Sequence, residues 1–390
     1  MKRFVIVTGV VVVAGVALSL IPTLNTTGLI PLFMAVALTA IAVWAAVELT
    51  KLGRDEQYAH VVPGEAPLPG DPTVVKHQEI TDAPVRFTPP KSVPPRLVGA
   101  IVRERSAGED LVATIISMAV RGHIRIAVGT RSKEVFFSAT SADPCVLDPF
   151  ELQIYRLMFR TGTTLSRAEL VKSGFFTADF KLLSLAAQQE FEAQKWYRGD
   201  PQSIVSFMRW VGTIVAVVGS VVMLILSAIL SSHGLPGYGW LALPCLVLGV
   251  GMVLIAKKMP SRTLAGSMIA IQAFGFKKYL ETAEAGQLRW EEGHDIYSEY
   301  LPYAIVFGCA KRWTALFEQL AAAGVPLPKP GWLTGASMTL EAVGTVAEAF
   351  ADIMSLLDGL ASVADGIDGL LSAGEFIGGV AGVIGSLGEI

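Results

Sequence analysis

Charge is scarce in this chain: 17% of its residues are Asp, Glu, Lys or Arg, against roughly 25% in an ordinary soluble domain. Net charge is −3, so no overall basic field draws nucleic acid or anionic lipid. Cysteine is scarcer still. Cys145, Cys245 and Cys309 lie far apart, which leaves no CxxC pair and no disulfide framework and suits a reducing compartment. His60, His77, His123, His233 and His294 are scattered, with no cysteine beside them. Zinc needs His and Cys at short spacing to close its tetrahedron, so no metal is expected. Neither GxxxxGK[ST] nor GxGxxG falls between a strand and a helix, and no GxSxG elbow occurs. Glu281, Glu284, Glu291, Glu292 and Asp295 cluster, but Lys277, Lys278 and Arg289 are interspersed. That mixture marks a solvated helix face before it marks paired catalytic carboxylates. No cofactor and no enzymatic activity are expected.

What is abundant is apolar sequence: 52% of residues, with mean hydropathy +0.53. Four runs carry it, at 4–21, 29–49, 211–230 and 240–256. Each is near the roughly 20 residues a helix needs to cross a bilayer. They predict two transmembrane hairpins. Lys2, Arg3, Lys51, Arg54, Arg209, Lys257, Lys258 and Arg262 flank one side, while the turns 22–28 and 231–239 hold no Lys or Arg. The positive-inside rule then places both termini and 51–206 in the cytoplasm. Residues 1–19 also fit a cleavable signal ending at Ala17-Leu18-Ser19; in both readings the second run enters the cytoplasm. No ionisable residue lies mid-span, and a transport path nearly always needs one.

The remaining chain divides by composition. Residues 51–95 read as a linker, with prolines at 63, 67, 69, 72, 84, 89, 90, 94 and 95; fixed φ and missing donors predict an extended, polyproline-type spacer. In 96–202, Leu97, Ile101 and Val102 share a helical face. Glu109 and Asp110 open a second helix with Leu111, Ile115, Met118 and Ala119 as its buried stripe. Gly122 stops it, and 123–128 and 134–139 form a β-hairpin. Helix, helix, hairpin is the order of a winged helix. A second, degenerate module follows at 148–200, with a capping box from Ser166 to Glu169. Residues 259–332 predict a helical domain, with helices at 265–280, 290–299 and 304–320 and a dense aromatic set that marks a well-packed core or an interface. The tail, 333–390, is acidic. Heptad positions from Val343 to Leu371 alternate with helix-weakening glycines. A self-associating or partner-bound helix over 340–371 and a plain flexible tail both fit.

The string from Gly275 to Ala285, then Trp290-Glu291-Glu292, Tyr300 to Gly308 and Arg312-Trp313 resembles the YciQ-type predicted membrane protein family of bacteria, domain of unknown function 2207. The helix from Asp110 to Ala119 with Arg121-Gly122-His123-Ile124 is similar to that family's cytoplasmic helix-then-strand motif. The likeness covers roughly 92–332. Members usually carry an extracytoplasmic β domain, for which the turn at 22–28 leaves no room here. The resemblance implies a multi-pass protein of the bacterial inner (plasma) membrane, and it brings no catalytic residue or cofactor.

The expected fold class is thus a mostly α membrane protein: two transmembrane hairpins (1–50 and 203–258), a cytoplasmic winged-helix-like α+β domain and a C-terminal helical domain. The expected function is a membrane-anchored scaffold or regulatory protein-interaction module. The alternative is a membrane-tethered winged-helix nucleic-acid binder. Its reading helix, Glu109–Arg121, carries two acids and one arginine where a reader presents Arg, Lys, Asn or Gln, so nucleic acid is disfavoured. Expected partners are the lipid bilayer and a cytoplasmic or membrane protein. The residues chosen for partner contact are Arg121, Arg125, Arg131, Lys277, Tyr279, Tyr300, Tyr303 and Trp313, of which Tyr300 and Trp313 fit a core role equally.

Overall fold

The computed structural model describes residues 29–67, 74–80, 82–128, 135–166, 169, 180–233, 241–284, 296–322 and 330–335. The first apolar run, Arg131, the 290–295 stretch and the heptad tail lie outside them. The chain is mostly helical. In order it forms α1 (Leu29–Thr50), β1 (Glu56–Tyr58), β2 (Val75–His77), α2 (Pro95–Arg103), α3 (Gly108–Val120), β3 (Ile124–Val128), β4 (Val135–Ala139), α4 (Pro149–Met158) and β5 (Thr164–Ser166). It continues with α5 (Phe180–Ala193), α6 (Pro201–Ser232), α7 (Leu243–Ile255), α8 (Leu264–Thr282), α9 (Ile296–Val306), α10 (Ala310–Ala322) and β6 (Leu333–Gly335).

Two compact units result, and neither follows the order of the chain. One takes 1–81 and 195–268; the other takes 82–194 and 269–390. The division expected at 96–202 and 259–332 gives way to this one because helices and strands from both stretches share one core.

In the first unit α7 packs on α6 and α1. Among the described residues two helical stretches are long and apolar enough to cross a membrane, Phe33–Gly53 and Pro201–Leu230. The core helix of a soluble protein would be mostly buried, whereas 17% and 6% of these windows are. Phe33, Val36, Val43 and Val47 on α1, and Val217, Val221, Leu224 and Ile229 on α6, are exposed, as lipid-facing side chains are. The fourth expected run carries α7, which a 3-10 turn at Ala256–Lys258 continues. α7 has 13 residues, a rise of roughly 20 Å. α6 has 32, about 48 Å; its surplus turns hold exposed Arg209 and Trp210, residues suited to the headgroup level.

Small residues set the helix spacing. A Cβ on Gly212 would sit 2.7 Å from the Gly249 carbonyl oxygen, and one on Gly219 would sit 2.8 Å from Cys245 Cβ. Gly249 faces the backbone of Gly212 and Ala216 even more closely. Close backbone approach of this kind supports membrane helix packing. Gly249→Val is therefore expected to force α6 and α7 apart and lower stability by about 1–3 kcal/mol, the usual range for overpacking. Thermal unfolding in nanodiscs measures it, and an unchanged midpoint would refute the close contact.

The unit's polar end is a clasp rather than a free spacer. β1 and β2 pair antiparallel, Glu56 opposite His77. Asp55 accepts from the Arg262 amide at 2.7 Å and from its guanidinium at 3.1 Å, with both side chains buried. Arg262 also lies over the Tyr197 ring, and Arg198 pairs with Glu56. The expected spacer fails here because 55–62 and 74–80 contain no proline and keep every backbone donor that a ladder needs.

In the second unit α2, α3 and α9 pack against one another and α3 lies on β3. α3 ends in a Schellman motif: Gly122, at φ +85°, donates to Ala119 and His123 donates to Met118. The expected hairpin forms with Ile124 opposite Ala139 and Val128 opposite Val135. Ile124, Ile126, Val135 and Phe137 fill its inner face. The sheet is larger than the hairpin, in the order β5-β4-β3-β6. β5 joins antiparallel to β4, so 164–166 shares the sheet of the hairpin, and the Ser166–Glu169 capping box forms as expected. β6 joins parallel to β3. The helix expected over 304–320 breaks at Gly308, φ +73°, where a second Schellman motif closes α9.

Candidate functional site

Three features of the second unit concentrate polar chemistry or aromatic surface. The first is an ionic cluster at the start of α2. The Arg96 side chain is 5% exposed. Its Nε and Nη2 grip both oxygens of Glu190 at 2.9 and 2.7 Å, and Nη2 also reaches Asp148 at 2.9 Å. Glu151 stands 3.8 Å from Nη1 and pairs with Arg121. Asp148 and Glu151 are a capping box for α4. Burial opposes the charge on Arg96, but Glu190 and Asp148 outweigh it and hold the guanidinium pKa above its ordinary value. Arg96 thus ties α2, α4 and α5 together as a permanent cation. It cannot move a proton.

The second feature lies at the far end of α2. Arg103 donates to Asp110 in the first turn of α3 and to the Val306 carbonyl at the end of α9. It bridges one helix N-terminus and another's C-terminus, where carboxylate and cation suit the two dipole ends. Gly99 makes room, since a Cβ there would meet Val306, Asp110 and Arg103 within 2.8 Å. Burial pushes the Asp110 carboxyl up from 3.8 to about 6, against the pull of Arg103. The folded state then holds the proton more tightly than the unfolded chain. Its contribution to stability is present below about 3.8 and lost as the pH rises through about 6, a swing of up to about 3 kcal/mol. Asp110→Asn should flatten that window in a pH series of unfolding midpoints; an unaltered slope would refute the assignment. Acid–base catalysis needs substrate within reach of the carboxyl, and Asp110 is 1% exposed.

The third feature is aromatic. Phe276 on α8 meets Tyr300 edge to face at 4.9 Å and Tyr303 at 5.5 Å. Trp313 packs on Phe317 at 5.0 Å and on Tyr300 at 6.1 Å. Four residues chosen for partner contact, Tyr279, Tyr300, Tyr303 and Trp313, come together here, but mostly inward. Trp313 is fully buried, Tyr279 and Tyr300 are buried, and Tyr303 is half-buried, its phenol pushed up to about 12 by burial and then by Glu299. Their ring area fills a core, one of the two roles such an aromatic set admits. Lys277 is half-buried beside Glu281 at 3.7 Å. Arg121 and Arg125 are exposed on separate elements, the end of α3 and the outer face of β3.

Sequence reasoning missed Arg96, although Asp148-Pro149-Phe150-Glu151 carried a legible capping signature. It also missed the course of 82–90. Ala83 is buried, Arg86 N–H donates to the Gly275 carbonyl at 3.2 Å, and the Tyr300 hydroxyl donates to the Phe87 carbonyl at 3.1 Å. The signal was Gly275 itself, an isolated glycine within a helix, which usually has a packing reason.

The comparisons with known proteins agree with the membrane reading. The family model for the C-terminal domain of the predicted membrane proteins of the DUF2207 family matches residues 84–317. The chain belongs to that family. No curated protein and no solved structure matches it.

Proposed function

We propose that the chain is a membrane-anchored scaffold or regulatory module that binds another protein through its second compact unit, on the cytoplasmic face of a bacterial inner membrane. The observation that carries this reading is the burial of α3, ten of whose thirteen residues are inside. In a winged helix that element enters the DNA groove; here it packs on α2, α9 and β3. The order α2, α3, β3, β4 supports a winged-helix-like reading of 96–139, used for protein contact. A cytoplasmic placement is supported by Gly53, which lies against Lys258, so the basic ends of α1 and α7 share one side.

The test is crosslinked capture from native membranes with the full chain and a version cut after Gly335. The cut falls there because Leu333–Gly335 is a strand of the sheet. A specific protein recovered with both forms supports the reading. Recovery of the bait alone, together with salt-dependent DNA binding by the full chain, would replace it with the tethered nucleic-acid binder. An enzymatic role would need a reachable reactive group; among the described residues Asp110, whose carboxyl burial pushes up to about 6, is out of reach.

A further inference from the structure

The second unit holds an extended segment of its own chain against an aromatic helix face. Residues 82–90 read Asp-Ala-Pro-Val-Arg-Phe-Thr-Pro-Pro and form neither helix nor strand. Pro84, Pro89 and Pro90 fix φ, and each biases the residue before it toward extended backbone. Such a segment loses little entropy when it binds.

Gly275, Lys278 and Tyr279 occupy one face of α8 at i, i+3 and i+4. Lys278 Nζ meets Asp82 at 3.2 Å. The Pro84 carbonyl crosses Gly275 where any Cβ would clash with it. The Gly275 carbonyl accepts from Arg86 N–H. Phe87 sets its ring edge-on to Tyr279 at 5.2 Å and 74°, and its carbonyl takes the Tyr300 hydroxyl. Aromatic rings, a hydrogen-bond donor aimed at a main-chain carbonyl and a slot closed to side chains are the parts of a proline-rich peptide groove.

The two main-chain hydrogen bonds are independent of side-chain identity. The proline, the aromatic anchor and the acidic lead opposite Lys278 give selectivity. Yet between buried Ala83 and Pro90 most of the segment is at the surface: Phe87 is 58% exposed, and Pro84, Val85 and Thr88 are exposed as well. Exposed segments with little buried apolar area open at low cost.

We infer that this face of α8 with Tyr300 is a docking groove for an extended, proline-containing peptide of a partner protein, and that 82–90 is its resident ligand. The inference rests on the interaction reading above and names its surface. The tethered segment acts at millimolar effective concentration. A partner must therefore outcompete it, which makes the strap a gate on binding.

The test uses the full chain in nanodiscs and a fluorescent synthetic peptide with the sequence of residues 82–91. Phe87→Ala removes the strap's exposed anchor and leaves the groove intact. It is expected to bind the peptide about tenfold more tightly than the wild type does. Adding Gly275→Ala, whose Cβ closes the slot, should abolish that gain. Hydrogen exchange should rise at 82–90 in Phe87→Ala while α8 keeps its protection. Equal peptide binding by wild type and Phe87→Ala, survival of the gain in Phe87→Ala/Gly275→Ala, or loss of protection through α8 would each overturn the groove. A partner protein captured equally by the wild type and Gly275→Ala would overturn the groove while leaving the interaction reading in place.

Discussion

Replacing Arg96 with methionine is expected to lower stability by about 3–5 kcal/mol, the range for removing one partner of a buried ionic group. Methionine fills much of the same length and supplies no charge. Asp148, Glu151 and Glu190 would then face one another with Arg121 as the nearby cation. Glu151 is 4% exposed and Glu190 26%, while Asp148 at 36% can regain water, which favours the lower part of the range. The loss has a signature beyond its size. Glu190→Gln in the same chain should restore part of it. Arg96→Lys keeps the charge but not the two-pronged grip on Glu190, so an intermediate loss is expected. Denaturant unfolding of the full chain in detergent reads all three variants. A drop below about 1 kcal/mol for Arg96→Met would mean that the cluster is solvated and carries little.

The helices and the hairpin were legible in the sequence because their signals are local. Glu109 and Asp110 at the start of α3, Gly122 at its end and the alternation from Ile124 to Val128 each act over a few residues. The sheet beyond the hairpin was not. β5 and β6 have three residues each, too short for an alternation to show, and β6 pairs with β3 across some two hundred residues of chain. The same distance hid the division into units. Arg103 meets Val306 and Phe87 meets Tyr279 through contacts that no window along the chain contains. Composition misled at 51–95, where the proline count masked proline-free stretches that pair as β1 and β2. For the contact residues, aromatic density pointed to the cluster but left open whether its rings are core or interface. A buried ring and an interface ring have the same sequence signature, and burial alone separates them.

Trp313→Ala separates those two roles directly. As a core residue Trp313 is fully buried, touches Tyr279, Tyr300 and Phe317, and directs its indole N–H at the Tyr297 carbonyl, 3.4 Å away. Truncation there opens a cavity between α8, α9 and α10, with an expected loss of about 3–5 kcal/mol. That would consume much of the 5–15 kcal/mol that holds a typical protein folded. Trp313→Phe keeps a ring and should cost less, leaving a smaller void. As an interface residue, by contrast, Trp313 could be truncated with the unfolding midpoint unchanged and partner capture lost. The packing predicts the first pattern: both variants destabilised in order of volume removed, with capture from membranes falling only as the folded fraction falls. A Trp313→Ala chain that unfolds at the wild-type denaturant concentration would show that α10 is not fastened to the aromatic block. It would also return Trp313 to the interface role, the other one its sequence allows.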